Sequence, residues 1–222
     1  MTVNSGDAAV NSGDAAVETY LRSLAVAADP PDAARAAARL SAALRLLVDT
    51  ATGSDASDDL LDQVAGDVER LVPLLTPHSE ESRYPQSERL GGPQGMMISH
   101  PVIGPINPFA PRMTVSPSGD ELVGSVTYGA AYEGPPGFVH GGHISSGFDA
   151  ILAMTAGAHG RGGVTKWLHV DFLKPTPLHV EVTYVGVIDE RRERSTTIRA
   201  ELRAGDVVCA RGASEQVMRR RG

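Results

Sequence analysis

The sequence lacks several features that would place it in a special class of proteins. It has one cysteine, Cys209, so no disulfide can form within the chain. Acidic residues outnumber basic ones, and the formal net charge of -7 argues against a general nucleic-acid binder, which needs a basic face. No apolar run approaches the ~20 residues that span a bilayer, and residues 1–4 have neither the basic nor the apolar region of a signal peptide. We therefore expect a soluble, cytoplasmic protein without a membrane span.

The charge that is present lies unevenly along the chain. Residues 1–100 hold 15 acidic and 7 basic side chains, whereas residues 101–222 hold 12 acidic and 13 basic side chains. The first part thus carries a formal charge of -8 and the second part +1. The C-terminal half is therefore the part that does not repel an anionic ligand.

The first 100 residues predict helices followed by a linker. A heptapeptide, Asn-Ser-Gly-Asp-Ala-Ala-Val, occurs in tandem at 4–10 and 11–17, which is too short for a repeat architecture. Apolar residues then recur at helical spacing in three segments, and we expect each stripe to pack against a core. The stripes are Val17, Tyr20, Leu21 and Leu24; Ala36, Leu40, Leu44 and Leu47; and Leu61, Val64, Val68, Leu71 and Leu75. Residues 77–108, rich in Pro, Gly and Ser, predict a linker or long loop.

Residues 101–222 predict a different architecture from the residues before them. Residues 122–128 alternate as a half-buried strand does, and a Gly-rich stretch and one helix follow. Four more strands are expected at 164–173, 178–188, 195–204 and 207–218, joined by short turns that make neighbours antiparallel. The fold class is therefore α+β, with one helix packed on a curved antiparallel sheet and residues 1–100 as an N-terminal helical extension.

The segment with the clearest chemical potential runs from Gly134 through Pro135-Pro136-Gly137-Phe138-Val139-His140-Gly141-Gly142 into the predicted helix. The first N–H groups of a helix have no partner within it and carry the positive end of its dipole. Such a helix start suits an oxygen that becomes negative during a reaction. Asp149 follows about two turns later, beside the apolar stripe formed by Ile144, Phe148, Ile151, Leu152 and Thr155. A partly desolvated carboxylate there predicts a general base or a nucleophile.

His-Gly-Gly followed by an aspartate nine residues after the histidine resembles the motif of hotdog-fold acyl-CoA thioesterases of the phenylacetate-degradation type. The fuller Gly-Pro-Pro-Gly-x-Val-His-Gly-Gly resembles the branch with the mitochondrial long-chain members of the thioesterase superfamily. The later segment from Val164-Thr165-Lys166 to Phe172-Leu173-Lys174-Pro175-Thr176-Pro177-Leu178 is similar to that branch's second characteristic segment. The resemblance covers roughly residues 105–218 and implies the hotdog fold, a curved antiparallel sheet wrapped around one central helix.

The resemblance also implies roles for individual residues. The N–H of Gly141 binds the thioester oxygen, Asp149 attacks or activates water, and a hydroxyl at Thr165 assists from across a dimer interface. His140 and Gly142 are expected to contribute to substrate binding. The implied reaction is hydrolysis of acyl-CoA to a free acid and coenzyme A, in a homodimer or a dimer of dimers, without a metal or redox cofactor. Some relatives carry an asparagine near the position of Gly134, which this chain lacks.

Several alternative interpretations remain open at this point. Asp149 is alternatively a salt-bridged structural acid, and Thr165 a plain strand threonine, with Trp167 and His169 on the same strand face. His140 and His143 are a candidate metal pair without an evident third ligand. Arg191, Arg192 and Arg194, at a predicted hairpin tip, are either a solvated turn or a contact for the phosphates of coenzyme A. The alternative functions are a hotdog-fold enoyl-CoA hydratase or dehydratase and a non-catalytic acyl-CoA-binding sensor.

Overall fold

The structure is a computed structural model that describes residues 5–79 and 81–218. The helices are α1 (Ser5–Ala28), α2 (Asp32–Thr52), α3 (Asp58–Leu75), α4 (Tyr84–Arg89), α5 (Pro93–Ile98) and α6 (Gly141–Ala158). The expectation that residues 1–4 form no signal peptide falls outside the described residues, as does the first residue of the tandem heptapeptide. Within the two described ranges, no helix is both long enough and apolar enough to cross a membrane.

One antiparallel sheet forms the C-terminal part. Its strands are β1 (Thr114–Ser118), β2 (Glu121–Thr127), β3 (Val164–Phe172), β4 (Glu181–Arg191), β5 (Ser195–Ala204) and β6 (Val207–Val217). The strand order is β1-β2-β4-β5-β6-β3, which places β3 at one edge. The five predicted strands are confirmed, but the expected pairing of the first two strands after the helix is wrong, because β3 pairs with β6 and not with β4. Strand β1 was not predicted, because this five-residue edge strand contains Pro117 and buries only Val115.

Helix α6 lies across the sheet and forms the centre of the core. The five side chains predicted for its apolar stripe are all buried. A Cβ atom added to Gly212 of β6 would lie 2.4 Å from the Phe148 ring, so the absence of a side chain there allows the helix to approach closely. The Tyr184 hydroxyl donates to the carbonyl of Ile144 at 3.2 Å. The α+β prediction and the hotdog arrangement implied by the resemblance are confirmed.

Helix α1 packs against this core. Leu24 and Ala27 are buried in the same cluster as the α6 stripe, and Tyr20 packs against it. A Cβ atom added to Gly157 of α6 would lie 2.4 Å from the Tyr20 ring. The first predicted stripe is therefore confirmed as a packing face. The division into residues 1–100 and 101–222 stays a prediction.

The predicted linker at residues 77–108 is wrong. This segment contains α4 and α5, and Ile98, Val102, Ile103 and Ile106 are buried within it. Its prolines and glycines have structural uses, because proline is compatible with the first turn of a helix and glycine permits close backbone approach. A Cβ atom on Gly95 would lie 1.9 Å from the carbonyl oxygen of Ser87.

The stripes predicted for α2 and α3 do not pack as expected. Helix α2 buries Ala34 and Ser41 instead of the leucines, and Ala34 joins a small cluster with Ile98 and Ile106. In an alanine-rich helix the small side chains allow the closest approach, so the buried face differs from the most apolar one. Helix α3 buries none of its residues. Its stripe, including Leu71 at 56% exposure, has no core to face in the described chain.

Candidate active site

The two sequence segments that carry the resemblance lie against each other at the start of α6. The Val139 N–H donates to the Thr176 carbonyl at 2.9 Å, and the Leu178 N–H donates to the Gly137 carbonyl at 3.1 Å. Gly137 has a φ of 81°, a conformation that glycine adopts readily. These bonds fix the loop that leads the chain into α6.

His140 is the N-cap residue of α6. Its Nδ1 accepts the Gly142 N–H at 3.0 Å, and its carbonyl accepts the N–H of His143 at 3.0 Å. His140 therefore braces the glycine turn, while its expected role in substrate binding stays a prediction. The role of Gly142 in substrate binding also stays a prediction, and its N–H is already accepted by His140. Within the described ranges, no three His, Cys, Asp or Glu side chains are grouped as a metal site would require.

The Gly141 N–H lies at the first position of α6 and meets no acceptor among the described residues. It is one of the N–H groups that a helix cannot satisfy internally. A Cβ atom on Gly141 would lie 3.2 Å from the Phe172 ring, so glycine leaves room for this ring beside the helix start. The arrangement offers one hydrogen-bond donor, next to an aromatic ring, to an incoming oxygen.

Asp149 belongs to a chain of three polar side chains. The Thr165 hydroxyl of β3 donates to Asp149 Oδ1 at 3.0 Å, and Gln216 Nε2 of β6 donates to the Thr165 hydroxyl at 2.9 Å. The partner of Asp149 is thus a hydroxyl, and no Lys, Arg or His of the described residues forms an ion pair with it. The salt-bridged structural acid is therefore not the arrangement seen. Gln216 holds Thr165 as an acceptor, which leaves the Thr165 proton to point at the carboxylate.

Two expectations about Asp149 need correction. Thr165 donates to the Asp149 of its own chain, whereas the sequence-based expectation had this hydroxyl supplied across a dimer interface. Asp149 is also exposed in the single chain, because it lies beside β3 at the edge of the sheet, whereas the apolar stripe is buried against the sheet. The partial desolvation expected from the sequence is therefore not provided by the described residues alone.

Gly141 and Asp149 lie about two turns apart on α6. Eight residues at ~1.5 Å each separate their Cα atoms by about 12 Å along the helix axis. A nucleophile must approach a carbonyl carbon to within ~3–3.5 Å, and an oxyanion donor must lie ~3 Å from its oxygen. This separation favours a site in which the two groups come from different chains.

A β-bulge in β3 changes the face on which its side chains lie. The register with β6 shifts between Thr165 and Trp167. Trp167 Nε1 donates to Glu215 at 3.1 Å, whereas Thr165 contacts Gln216 and Asp149 on the helix side. The expectation that Trp167 and His169 share the face of Thr165 is therefore wrong. A strict two-residue period does not hold across a bulge.

Sequence reasoning missed Gln216 and left the meaning of Gly134 open. Gln216 is 1% exposed, and its only sequence signal was a polar residue in line with Gly212 and Ser214 on the inward face of β6. At Gly134 a Cβ atom would lie 2.8 Å from the Cα of His140. The backbone here therefore has no room for the asparagine found near this position in some relatives. Arg192 at the hairpin tip pairs with Glu190 at 2.8 Å and is exposed, which fits the solvated-turn interpretation.

Comparison with known proteins shows that the chain is similar to thioesterase superfamily proteins. A family model described as thioesterase superfamily matches residues 136–210. The crystal structure of RHA08564, a thioesterase superfamily protein, is 28% identical, with 82% of this chain and 94% of that chain covered and a TM-score of 0.72. A thioesterase superfamily protein from Shewanella loihica PV-4 is 31% identical over 48% of this chain and 90% of that chain, with a TM-score of 0.43. The E. coli PaaI protein of the phenylacetic acid degradation operon is 18% identical over 47% and 82%, with a TM-score of 0.45.

Proposed function

Because the chain belongs to the thioesterase superfamily, we propose that it hydrolyses acyl-CoA thioesters to a free carboxylic acid and coenzyme A. Membership in the superfamily supports thioester hydrolysis in general, and we propose acyl-CoA as the specific substrate class. The observation that carries it is the Asp149 carboxylate, which accepts a hydrogen bond from the Thr165 hydroxyl at 3.0 Å. Asp149 lies on α6, and this helix begins with the Gly141 N–H, which meets no acceptor among the described residues.

The proposed chemistry needs only groups of this chain, the thioester and water. The Gly141 N–H donates to the thioester oxygen and stabilises the negative charge that develops there. Asp149 takes a proton from a water molecule whose oxygen attacks the carbonyl carbon, the carbon–sulfur bond breaks, and the thiolate of coenzyme A takes up a proton. In the alternative route Asp149 attacks directly and water cleaves the resulting anhydride. Neither route requires a metal or a redox cofactor.

We propose that the enzyme is a homodimer, or a dimer of dimers, in which each site combines groups from two chains. Asp149 and Thr165 come from one chain and Gly141 from its partner, because the ~12 Å separation along α6 favours a site in which Gly141 and Asp149 come from different chains. The exposed edge of β3 supports this arrangement. Edge strands invite pairing, and Val164, Trp167 and Phe172 on β3 are 52%, 41% and 55% exposed. A partner paired along β3 would also shield Asp149 from bulk solvent.

Thiol release from short, long and aromatic acyl-CoAs tests the proposed activity, with Asp149→Asn as the variant. The intact protein is expected to turn over at least one ester, and Asp149→Asn to lose at least ~10²-fold in kcat, the scale of a lost general base. Asp120→Asn, which makes the same change in the turn between β1 and β2, is the matched control and is expected to keep the wild-type rate.

Two outcomes would favour the other functions over hydrolysis. Hydration of an enoyl-CoA without thiol release would indicate a hydratase. The structure does not favour this function, because the Nδ1 atom of His140 already accepts the Gly142 N–H and is not available as a general base. Tight acyl-CoA binding without any turnover would indicate a sensor. The cytoplasmic location expected from the sequence stays a prediction.

A further inference from the structure

An open cavity of about 610 Å³ lies between α2 and the loops that lead to α6. Its walls include Arg45 of α2, Arg112, Tyr132 and His143. We call it the Arg45–Arg112 groove. It borders the first turn of α6, because the Tyr132 carbonyl accepts the His140 N–H at 2.9 Å and the Tyr132 ring packs edge-on against His143 at 5.0 Å between centroids.

The groove brings together two guanidinium groups that form no ion pair among the described residues, although Asp49 also lies in its wall. Burial lowers the pKa of Arg45, and the positive charge of Arg112 lowers it further. Burial likewise lowers the pKa of Arg112. In the described residues, no carboxylate oxygen lies within 4.0 Å of either guanidinium, and Arg45 donates to the Asn107 carbonyl at 2.8 Å. Asp49, one turn after Arg45, accepts the Ala131 N–H at 3.0 Å.

At another cavity of this chain, the arginines form ion pairs with carboxylates. It has a volume of about 780 Å³ and lies on the outer face of the sheet. There Arg199 pairs with Asp189 at 2.7 Å, and Arg211 pairs with Glu201 at 3.0 Å. The Arg45–Arg112 groove differs because its two arginines form no such ion pair among the described residues. Two partly desolvated like charges beside each other destabilise the folded chain unless an anion binds between them.

The rest of the groove fits a ligand with both anionic and apolar parts. Phe109 and Leu46 at its rim are 70% and 68% exposed. Burial, followed by the charge of His140, lowers the pKa of His143, which favours a neutral imidazole in the wall. Two guanidinium forks match the geometry of phosphate or carboxylate oxygens, while the rim offers apolar contact.

We propose that the Arg45–Arg112 groove binds an anionic oxygen group of the thioester substrate, either a phosphate of coenzyme A or a carboxylate at the far end of the acyl chain. The inference rests on the proposed hydrolase and adds how its substrate is held. Arg45 and Arg112 both lie outside residues 136–210, the part that the family model matches.

Kinetics with matched esters distinguish the two sources of negative charge. Arg45→Gln and Arg112→Gln are compared with Arg39→Gln, which removes the same charge from an exposed position of α2. If the groove binds a phosphate, both groove variants raise KM about tenfold or more for the CoA ester and leave KM unchanged for the N-acetylcysteamine ester of the same acyl group. If it binds an acyl carboxylate, KM rises only for esters of a dicarboxylic acid, with either thiol. An unchanged KM in both groove variants for every ester overturns the proposal.

Calorimetric titration of the intact protein with coenzyme A and with suberate separates this proposal from the proposed activity. We expect one of the two probes to bind about tenfold or more weakly to both groove variants than to wild type and Arg39→Gln. Such binding without hydrolysis of any ester would refute the proposed hydrolase activity and support anion binding in the Arg45–Arg112 groove. Hydrolysis with no change in binding would refute the groove alone. The melting temperature of Arg112→Gln should equal or exceed that of wild type, and a large fall in both variants would indicate a structural role instead.

Discussion

Asp149 depends on two side chains from neighbouring strands for its orientation. Gln216 donates to the Thr165 hydroxyl, and Thr165 donates to Asp149, so the direction of each proton is determined by the residue behind it. The Oε1 atom of Gln216 is buried and finds no donor within the described chain. A buried polar atom without a partner lowers stability by ~1–3 kcal/mol. We infer that Gln216 is a positioning residue whose place in the fold is not explained by stability.

Gln216→Met should therefore slow the enzyme without weakening the fold. We expect kcat to fall about tenfold, since a hydrogen bond to a charged group contributes ~1.5–3 kcal/mol and Thr165 would lose its direction. KM should stay unchanged, and the melting temperature should stay equal or rise as the unpaired carbonyl is removed. Steady-state kinetics and thermal unfolding measure both effects. Thr165→Ser, which keeps the hydroxyl, is the control, and a lower melting temperature in Gln216→Met would indicate a structural glutamine.

At the scale of elements, α6 connects the N-terminal helices to the sheet. Its N-terminal turn carries Gly141 and its C-terminal part contacts Tyr20 of α1 through Gly157. Burial raises the pKa of Tyr20 to about 12, in keeping with its enclosed position. Since α1 and the sheet share the core through α6, we expect changes at this crossing to alter the stability of the whole chain.

Gly157→Ala tests this crossing. The new Cβ atom would lie 2.4 Å from the Tyr20 ring, and we expect unfolding to become easier by about 1–3 kcal/mol, as for other overpacked cores. In the Tyr20→Ala background the same change should instead stabilise by about 1 kcal/mol, because alanine is the better helix former. Urea unfolding of the four proteins gives the coupling.

The control for this prediction is Gly66→Ala in α3. Its Cβ atom would meet only the Arg70 side chain at 3.6 Å, so no loss of stability is expected. If Gly157→Ala were equally harmless in both backgrounds, α1 would not pack against α6 in solution.

At the scale of the whole molecule, the proposed dimer assigns the site residues to subunits. Asp149 and Thr165 touch within one chain, whereas Gly141 lies about 12 Å from Asp149 along the same helix. Variants that are each inactive therefore differ in whether they can complement each other in a mixed dimer. Gly141→Pro removes the donor without breaking the helix, because the first position of a helix tolerates proline and His140, with φ -64° and ψ 135°, is already extended as a residue before proline should be. The added ring also displaces the neighbouring Phe172 side chain, which is 55% exposed.

Co-expression of differently tagged subunits should restore activity in one pairing only. Asp149→Asn mixed with Gly141→Pro leaves one of the two sites intact in each mixed dimer, so about half of the wild-type rate is expected of mixed dimers purified through both tags. Asp149→Asn mixed with Thr165→Val should recover no activity, because no chain then supplies both residues. Thiol release by the co-purified dimers is the measurement. Recovery in the second pairing would place Thr165 across the interface.

Much of this molecule was predictable from local sequence. The period of apolar residues predicted α1, α6 and five strands, because hydrophobic burial acts on patterns that a short segment contains. The Gly-rich segment before α6 predicted where this helix begins, and Asp149 and Thr165 were both identified as candidate site residues. Their pairing within one chain was not, since a hydrogen bond between α6 and β3 depends on how the two elements pack.

Only the tertiary structure decided which faces are buried and which groups meet. The bulge in β3 turned Trp167 away from Thr165, residues 77–108 proved to be packed, and the apolar stripe of α3 found no core in the described chain. Arg45 and Arg112 lie 67 positions apart in sequence, and no local pattern links them. The sequence by itself determined the elements and the chemistry that each carries. The distances between those groups follow from long-range packing, which depends on the whole chain at once.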